Sequence, residues 1–359
     1  LETPLSILKK YWHHNQFRPL QEEIIQAALT GRDVLALLPT GGGKSVCFQV
    51  PALIRDGLCI VITPLIALMK DQVEQLKNRE IQAIAVHAGM SKQQIDILLN
   101  NCLYGPIKFL YVSPERLHTE LFRERVKQMN VGLIAVDEAH CISQWGYDFR
   151  PSYLQIASLR ALKPGVPVIA LTATATVEVK ADIQEKLELK KPAVFQQSFA
   201  RDNISFVVRK TENKERKVPG PAIIYVRSRK ATQEVSKWLT KEKISASFYH
   251  AGLDFEERAK RQDNWIQNKS RVMVATNAFG MGIDKPDVRV VVHLDLPENI
   301  ESYYQEAGRA GRDGLRSFAV MIYQDADVLN LQMKVEQAQP SPEFLRKVYQ
   351  ALCNYYQLA

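Results

Sequence analysis

The stretch Leu37-Leu38-Pro39-Thr40-Gly41-Gly42-Gly43-Lys44-Ser45 decides how this chain reads. It follows an apolar run of strand length, Val34 to Leu38, and opens a segment of helical length. Glycines without Cβ let backbone N–H groups turn toward phosphate oxygens, and a helix N-terminus adds a favourable dipole. In that setting Lys44 reaches the β- and γ-phosphates of a nucleotide and Ser45 offers a hydroxyl to Mg²⁺. Thr40, Gly41, Gly42, Gly43, Lys44 and Ser45 are therefore candidate phosphate-binding residues. Leu38 stands where the strict G-x-x-x-x-G-K-[ST] pattern has its first glycine.

A second stretch, Leu133-Ile134-Ala135-Val136-Asp137-Glu138-Ala139-His140, is an apolar strand that ends in two carboxylates. At the carboxyl end of a central strand, Asp137 can hold Mg²⁺ through water while Glu138 orients and deprotonates a hydrolytic water. Alone, such a pair is commonly a solvated turn. Beside a glycine loop it reads as the hydrolytic pair of an ATP site.

Outward from these two stretches, short β-branched runs alternate with longer amphipathic segments, the pattern of an α/β fold with largely parallel sheets. The expected strands are Val34 to Leu38, Cys59 to Ile62, Ala83 to Val86, Lys108 to Val112, Val131 to Val136 and Val168 to Leu171. The pattern then repeats with Ala222 to Val226, Ala246 to Tyr249, Val272 to Ala275, Val288 to His293 and Phe318 to Tyr323. The charged stretch Arg209 to Pro221 reads as a linker between the halves. Two domains, residues 1–205 and 206–334, and a short C-terminal helical segment over 335–359 are expected, in keeping with 359 residues.

With 46% hydrophobic and 24% charged residues the composition excludes disorder and coiled coil, and no apolar run approaches the roughly 18 residues of a membrane helix. The formal net charge of +8 suits a polyanion partner without defining a basic arm. The chain opens on Leu1 with no apolar signal region, which reads as a trimmed chain rather than a secreted precursor. Cys47, Cys59, Cys102, Cys141 and Cys353 form no C-x-x-C pair, arguing for a reducing compartment and against a zinc site.

The order of motifs resembles the helicase core of the RecQ family, superfamily 2 DNA helicases, over nearly all of residues 8 to 325. The resemblance rests first on Asp137-Glu138-Ala139-His140-Cys141-Ile142-Ser143-Gln144-Trp145-Gly146-Tyr147-Asp148-Phe149-Arg150-Pro151, which is similar to the family's aromatic-rich loop. Aromatic faces stack on unpaired bases and Arg adds charge. It rests equally on Gln305-Glu306-Ala307-Gly308-Arg309-Ala310-Gly311-Arg312-Asp313-Gly314, where Arg309 and Arg312 share a face if helical and resemble arginine fingers projected across an interdomain cleft.

Asn15-Gln16-Phe17-Arg18-Pro19-Leu20-Gln21 resembles the adenine-recognition motif, which implies that Gln21 reads the base edge and Arg18 stacks on it. Thr63-Pro64-Leu65 through Gln72 and Ser113-Pro114-Glu115-Arg116-Leu117 are similar to motifs that touch the DNA backbone. Ala170-Leu171-Thr172-Ala173-Thr174-Ala175 resembles the motif that links hydrolysis to domain movement, although both hydroxyls suit helix caps as well. Tyr225-Val226-Arg227-Ser228-Arg229, His250-Ala251-Gly252 and the run from Ala275 and Thr276 to Asp284 match later motifs. His14, Tyr147 and Ser152 depart from the residues common in the family.

The resemblance implies two tandem RecA-like P-loop NTPase domains and an ATP- and Mg²⁺-dependent 3′-to-5′ DNA helicase acting in repair, recombination and replication. Its implied catalytic set is Lys44, Asp137, Glu138, Gln305, Arg309 and Arg312, with His140, Gln144, Trp145, Phe149, Arg150, Thr172, Thr174, Ser228 and Thr276 for DNA binding and coupling. Implied partners of a monomer are single-stranded DNA, 3′-tailed duplex and single-stranded-DNA-binding protein. It would work without a membrane, in bacterial cytoplasm at the nucleoid or in a eukaryotic nucleus. Two other readings stay open: an RNA helicase of the Asp-Glu-Ala-His type, and a non-catalytic DNA-binding or annealing module.

Overall fold

The computed structural model describes residues 2–39, 41–145, 148–173, 175–198, 200–210, 220–279, 285–338 and 341–356. Thr40, Tyr147, Thr174, most of the expected linker and the end of the Thr276 motif lie outside them. The chain divides into two compact units. The first comprises the described residues within Leu1–Asp202, Gly280–Pro286 and Tyr304–Arg312, and the second those within Asn203–Phe279, Asp287–Tyr303 and Asp313–Ala359. Tyr304–Arg312, late in the sequence, thus groups with the first unit.

In the first unit the strands are β1 (Val34–Leu37), β2 (Leu58–Ile62), β3 (Ala83–Val86), β4 (Phe109–Val112), β5 (Val131–Val136), β6 (Val168–Thr172) and β7 (Ala193–Gln196). They form one parallel sheet in the order β3-β4-β2-β5-β6-β1-β7. The central strands read as unbroken apolar runs because both faces are covered. Leu35, Leu37, Ile60, Ile62, Ile134 and Val136 enter one core, while Val34, Ala36, Cys59, Val61, Leu133 and Ala135 enter the other.

The start of β1 is fixed by a buried carboxylate. Asp33, 5% exposed, accepts from Val168 N (2.9 Å), from Lys190 N (2.6 Å) and from the Arg160 guanidinium (2.9 Å), and its carbonyl accepts from Ala193 N (2.8 Å). Four segments converge on that one residue.

The second unit contains β8 (Ile204–Lys210), β9 (Ala222–Tyr225), β10 (Ala246–Tyr249), β11 (Val272–Ala275), β12 (Val290–His293) and β13 (Ser317–Tyr323). Its sheet is also parallel, in the order β10-β11-β9-β12-β13-β8, around a core that includes Ile224, Leu239, Val274, Val292 and Ile322.

Two strands escaped the sequence reading, β7 and β8, and both are edge strands with half-exposed faces. The expected linker therefore begins inside a strand, since Arg209 and Lys210 stand in register with Ile322 and Tyr323. The C-terminal segment expected from residue 335 begins within the helix Asp325–Ala338 and continues as Pro342–Tyr356.

Candidate active site

Parallel pairing brings the chemistry to one edge of the first sheet. Leu37 is in register with Thr172 and Val136 with Ala170, so β1, β5 and β6 end side by side. The carboxyl edge of an open parallel sheet is where ligands of such folds bind. After β1 the chain turns through Gly41 (φ +81°) and Gly43 (φ +73°) into the helix Lys44–Ile54. A Cβ on Gly42 would sit 2.9 Å from the Pro39 carbonyl, and one on Gly43 would collide with Gln21. Glycine is required at these two positions.

Gln21 is 3% exposed, and its amide is committed to that loop. Nε2 donates to the carbonyls of Gly42 (3.2 Å) and Gly43 (3.1 Å), while Oε1 accepts from Arg18 N (2.9 Å). The Arg18 side chain donates to the Gly41 carbonyl. The two residues expected at the adenine thus grip the backbone of the phosphate loop here. Leu20, in the left-handed region at φ 66°, makes the turn that aims Gln21.

After β5, Asp137 N donates to Ile62 O (2.9 Å) and Glu138 takes the left-handed conformation (φ 48°) that few side chains adopt. Glu138 N donates to Asp137 Oδ1 at 3.0 Å, which tightens the turn. Burial, then the neighbouring Glu138 charge, pushes the Asp137 carboxyl up to about 7, against the pull of Lys44. Glu138 Oε2 is buried and has no hydrogen-bond partner among the described residues, with His140 Nδ1 3.4 Å away. Burial holds the His140 imidazole below its usual pKa, more than Glu138 and Asp148 raise it, so it is neutral at pH 7. His140 Nδ1 also lies 2.9 Å from Thr172 Oγ1.

This donor set fits Mg²⁺. The Ser45 hydroxyl and Asp137 carboxyl are hard oxygen ligands, and a cation would relieve both the raised Asp137 and the orphaned Glu138 oxygen. Among the described residues no group of three or more His, Cys, Asp or Glu is arranged to hold a metal ion by itself.

Arg18, Gln21, Gly41, Gly43, Lys44, Ser45, Asp137 and Glu138 line a cavity of about 930 Å³, and Gln305, Arg309 and Arg312 complete its wall; all of these belong to the first unit. Arg309 is 6% exposed. Sequence reasoning missed a buried polar chain in which Gln49 and Gln72, both on the cavity wall, are joined through Tyr111. Gln49 Nε2 donates to Tyr111 Oη (3.2 Å), which donates to Gln72 Oε1 (2.9 Å), all three buried. The available signal was Gln49 itself, a polar residue within the apolar run Cys47-Phe48-Gln49-Val50.

The aromatic-rich loop leaves the same edge. Trp145 is 74% exposed and Gln144 is exposed, whereas Phe149 is half-buried. Ser143 anchors its foot, accepting from Trp145 N (3.2 Å) and donating to Asp182 (2.6 Å). Arg150 is turned inward, onto Asp148 Oδ2 (3.0 Å) and the Pro64 carbonyl (3.2 Å). In the second unit, Ser228 follows β9 and Thr276 follows the adjacent β11, so both stand at one sheet edge. Ser228 caps the helix Arg229–Lys241, its hydroxyl accepting from Ala231 N (3.0 Å), and Thr276 Oγ1 accepts from Ala278 N (3.4 Å).

The family described as DEAD/DEAH box helicase matches residues 18–183, and the helicase conserved C-terminal domain matches 202–314. ATP-dependent DNA helicase RecQ of Haemophilus influenzae is 44% identical over 349 residues, 95% of this chain and 56% of that protein. The Bacillus subtilis protein of the same name is 42% identical over 349 residues, covering 94% and 59%. The chain thus spans a little over half the length of these relatives. Among solved structures, S. cerevisiae Dbp5 bound to RNA and ADP BeF3 superposes with a TM-score of 0.73 over 94% of this chain and 91% of that one, at 20% identity, which speaks to the fold alone. Identity above 40% along nearly the whole chain, carried on tandem parallel sheets that both helicase domains match, settles its kinship: the chain belongs to the RecQ family of superfamily 2 helicases.

Proposed function

We propose that this chain is the motor core of an ATP-dependent DNA helicase, in which ATP hydrolysis drives 3′-to-5′ translocation on single-stranded DNA and unwinding of 3′-tailed duplex in repair, recombination and replication. The observation that carries the reading is the meeting in one cavity at the sheet edge of Lys44, Ser45, Asp137 and Glu138, whose buried Oε2 has no hydrogen-bond partner among the described residues. Residues 1–205 act as the nucleotide-binding domain and 206–334 as the second helicase domain.

The loop from Thr40 to Gly43 and Lys44 bind the β- and γ-phosphates. Ser45 and Asp137 would hold Mg²⁺, which when bound offsets the negative charge of those phosphates. Glu138, left-handed and half-buried, orients the attacking water and takes its proton. Gln305, Arg309 and Arg312 meet the charge that develops on the transferred phosphoryl group. His140 and Thr172 relay the state of the site to the aromatic-rich loop, where Trp145 and Phe149 stack on unpaired bases and Arg150 supports the loop. Thr174, Ser228 and Thr276 contribute further contacts to the strand.

The reading takes the core to work as a monomer beside single-stranded-DNA-binding protein, at the bacterial nucleoid or in a nucleus. Lys44→Ala should abolish DNA-stimulated ATP hydrolysis, and a variant that hydrolyses ATP at the wild-type rate overturns the site. Comparing stimulation by poly-dT and poly-U tests the choice of DNA, which is lost if poly-U is the better activator.

A further inference from the structure

Arg201 lies on the short connection between β7 and β8, outside every motif and outside the cavity wall. Its guanidinium donates three hydrogen bonds to main-chain carbonyls: Nη1 to Gly308 (3.2 Å), and Nη2 to Ala310 (3.0 Å) and Gly311 (2.9 Å). These carbonyls belong to the turn in which the helix Ile300–Ala307 ends, where backbone oxygens lose their intrahelical donors. They also bracket the side chains that enter the cavity. Gly308 and Ala310 flank Arg309, and Gly311 precedes Arg312. Gly311 stands at φ 57°, so the turn is tightly wound at the point where Arg201 grips it. A rigid planar fork suits this task because its donors are held in fixed directions, unlike the single point of a lysine ammonium.

We propose that Arg201 is a positioning residue for catalysis: it fixes the turn Gly308–Gly311 so that Arg309 and Arg312 are held ready for the phosphoryl charge. This rests on the reading of those two arginines under Proposed function. Misplacing a catalytic group by about 1 Å costs on the order of 10²-fold in rate. Arg201→Ala should therefore lower kcat for DNA-stimulated ATP hydrolysis by about 10- to 100-fold, leaving the KM for ATP within about twofold.

The decisive comparison is the affinity for ADP with aluminium fluoride, a mimic of the transferring phosphoryl group, against that for ADP alone, in wild type, Arg201→Ala, Arg201→Lys and Arg309→Ala. Selective loss of the mimic in Arg201→Ala, a smaller loss in Arg201→Lys and unchanged ADP binding support the proposal. Equal loss of both ligands, or wild-type affinity for the mimic while Arg309→Ala loses it, overturns it. If Arg309→Ala itself keeps the mimic, the reading of the arginines falls, and Arg201's role falls with it. Should Arg201→Ala fail to fold, Arg201→Lys carries the same comparison.

Discussion

The Nδ1 atom of His140 lies 2.9 Å from the Thr172 hydroxyl, fastening the turn after the paired carboxylates to the end of β6. The same nitrogen is 3.4 Å from Glu138 Oε2. A neutral imidazole has a single N–H, and a hydroxyl both donates and accepts, so Thr172 governs what His140 offers to Glu138. Thr172→Val keeps the shape and removes the hydroxyl, at a net cost of about 1 kcal/mol in stability. The ratio of DNA-stimulated to basal hydrolysis should fall about tenfold, equivalent to 1.4 kcal/mol. A ratio equal to wild type would disconnect this pair from coupling.

Asp137 sets a pH dependence whose sign follows from its environment. Its folded carboxyl titrates near 7, above the ordinary 3.8, because it is buried and faces Glu138. A raised pKa stabilises the fold fully below the unfolded value and loses that contribution as pH rises through the folded one. Without nucleotide or metal, Asp137→Asn should therefore gain in melting temperature relative to wild type as pH climbs from about 4 to about 7. Thermal melts of both proteins across that range check it, and a constant difference between them refutes it.

The grip of Gln21 on Gly42 and Gly43 predicts coupled effects on nucleotide affinity. Gln21→Ala releases both carbonyls and should weaken ATP binding about tenfold, within the 1–3 kcal/mol typical of unsatisfied buried groups. Gly43→Ala should cost about 1–2 kcal/mol for its left-handed backbone, and its Cβ would also meet the Gln21 amide. In the double variant that collision is gone, so the combined loss should be smaller than the sum. Titration with a fluorescent nucleotide measures all three, and strict additivity would remove the contact from the account.

Trp145 separates stability from binding. With 74% of its surface exposed, it contributes little to the core. Trp145→Ala should leave the melting temperature nearly unchanged while weakening oligo-dT by about 1–3 kcal/mol, the scale of one stacked base. Fluorescence anisotropy with labelled oligo-dT reads the effect, and wild-type affinity would turn the indole into surface decoration.

Nine of the eleven strands read from sequence lie inside the sheets, where cover on both faces makes plain apolar runs and Ile60, Val61 and Ile62 leave no other choice, while β3 and β10 are edges that were legible as short, largely apolar stretches between turn signals. β7 and β8 were not, since these two edges leave their apolar residues outside: Val194 on β7 is 49% exposed, and Phe206 and Val208 on β8 are 42% and 61% exposed. The phosphate loop and the carboxylate pair could be read because local spacing dictates their chemistry. The grip of Gln21 could not, since its partners lie 21 and 22 residues away and only the turn at Leu20 aims it. Arg201 is further out of reach, bonded to carbonyls 107 to 110 positions on, and main-chain acceptors leave no trace in residue identity.

Asp33 gives the sheet a fixed foot. Its carboxylate and carbonyl hold the starts of β6 and β7, the approach to β7 and Arg160 in one place, at the opposite end of β1 from the phosphate loop. Any displacement of that loop is therefore measured from a point that does not travel. The amide protons of Val168 and Lys190, sealed against a buried carboxylate, mark the ground reference of the machine: they should exchange with deuterium only when the whole unit opens, while the loop at the other end of β1 works through its cycle.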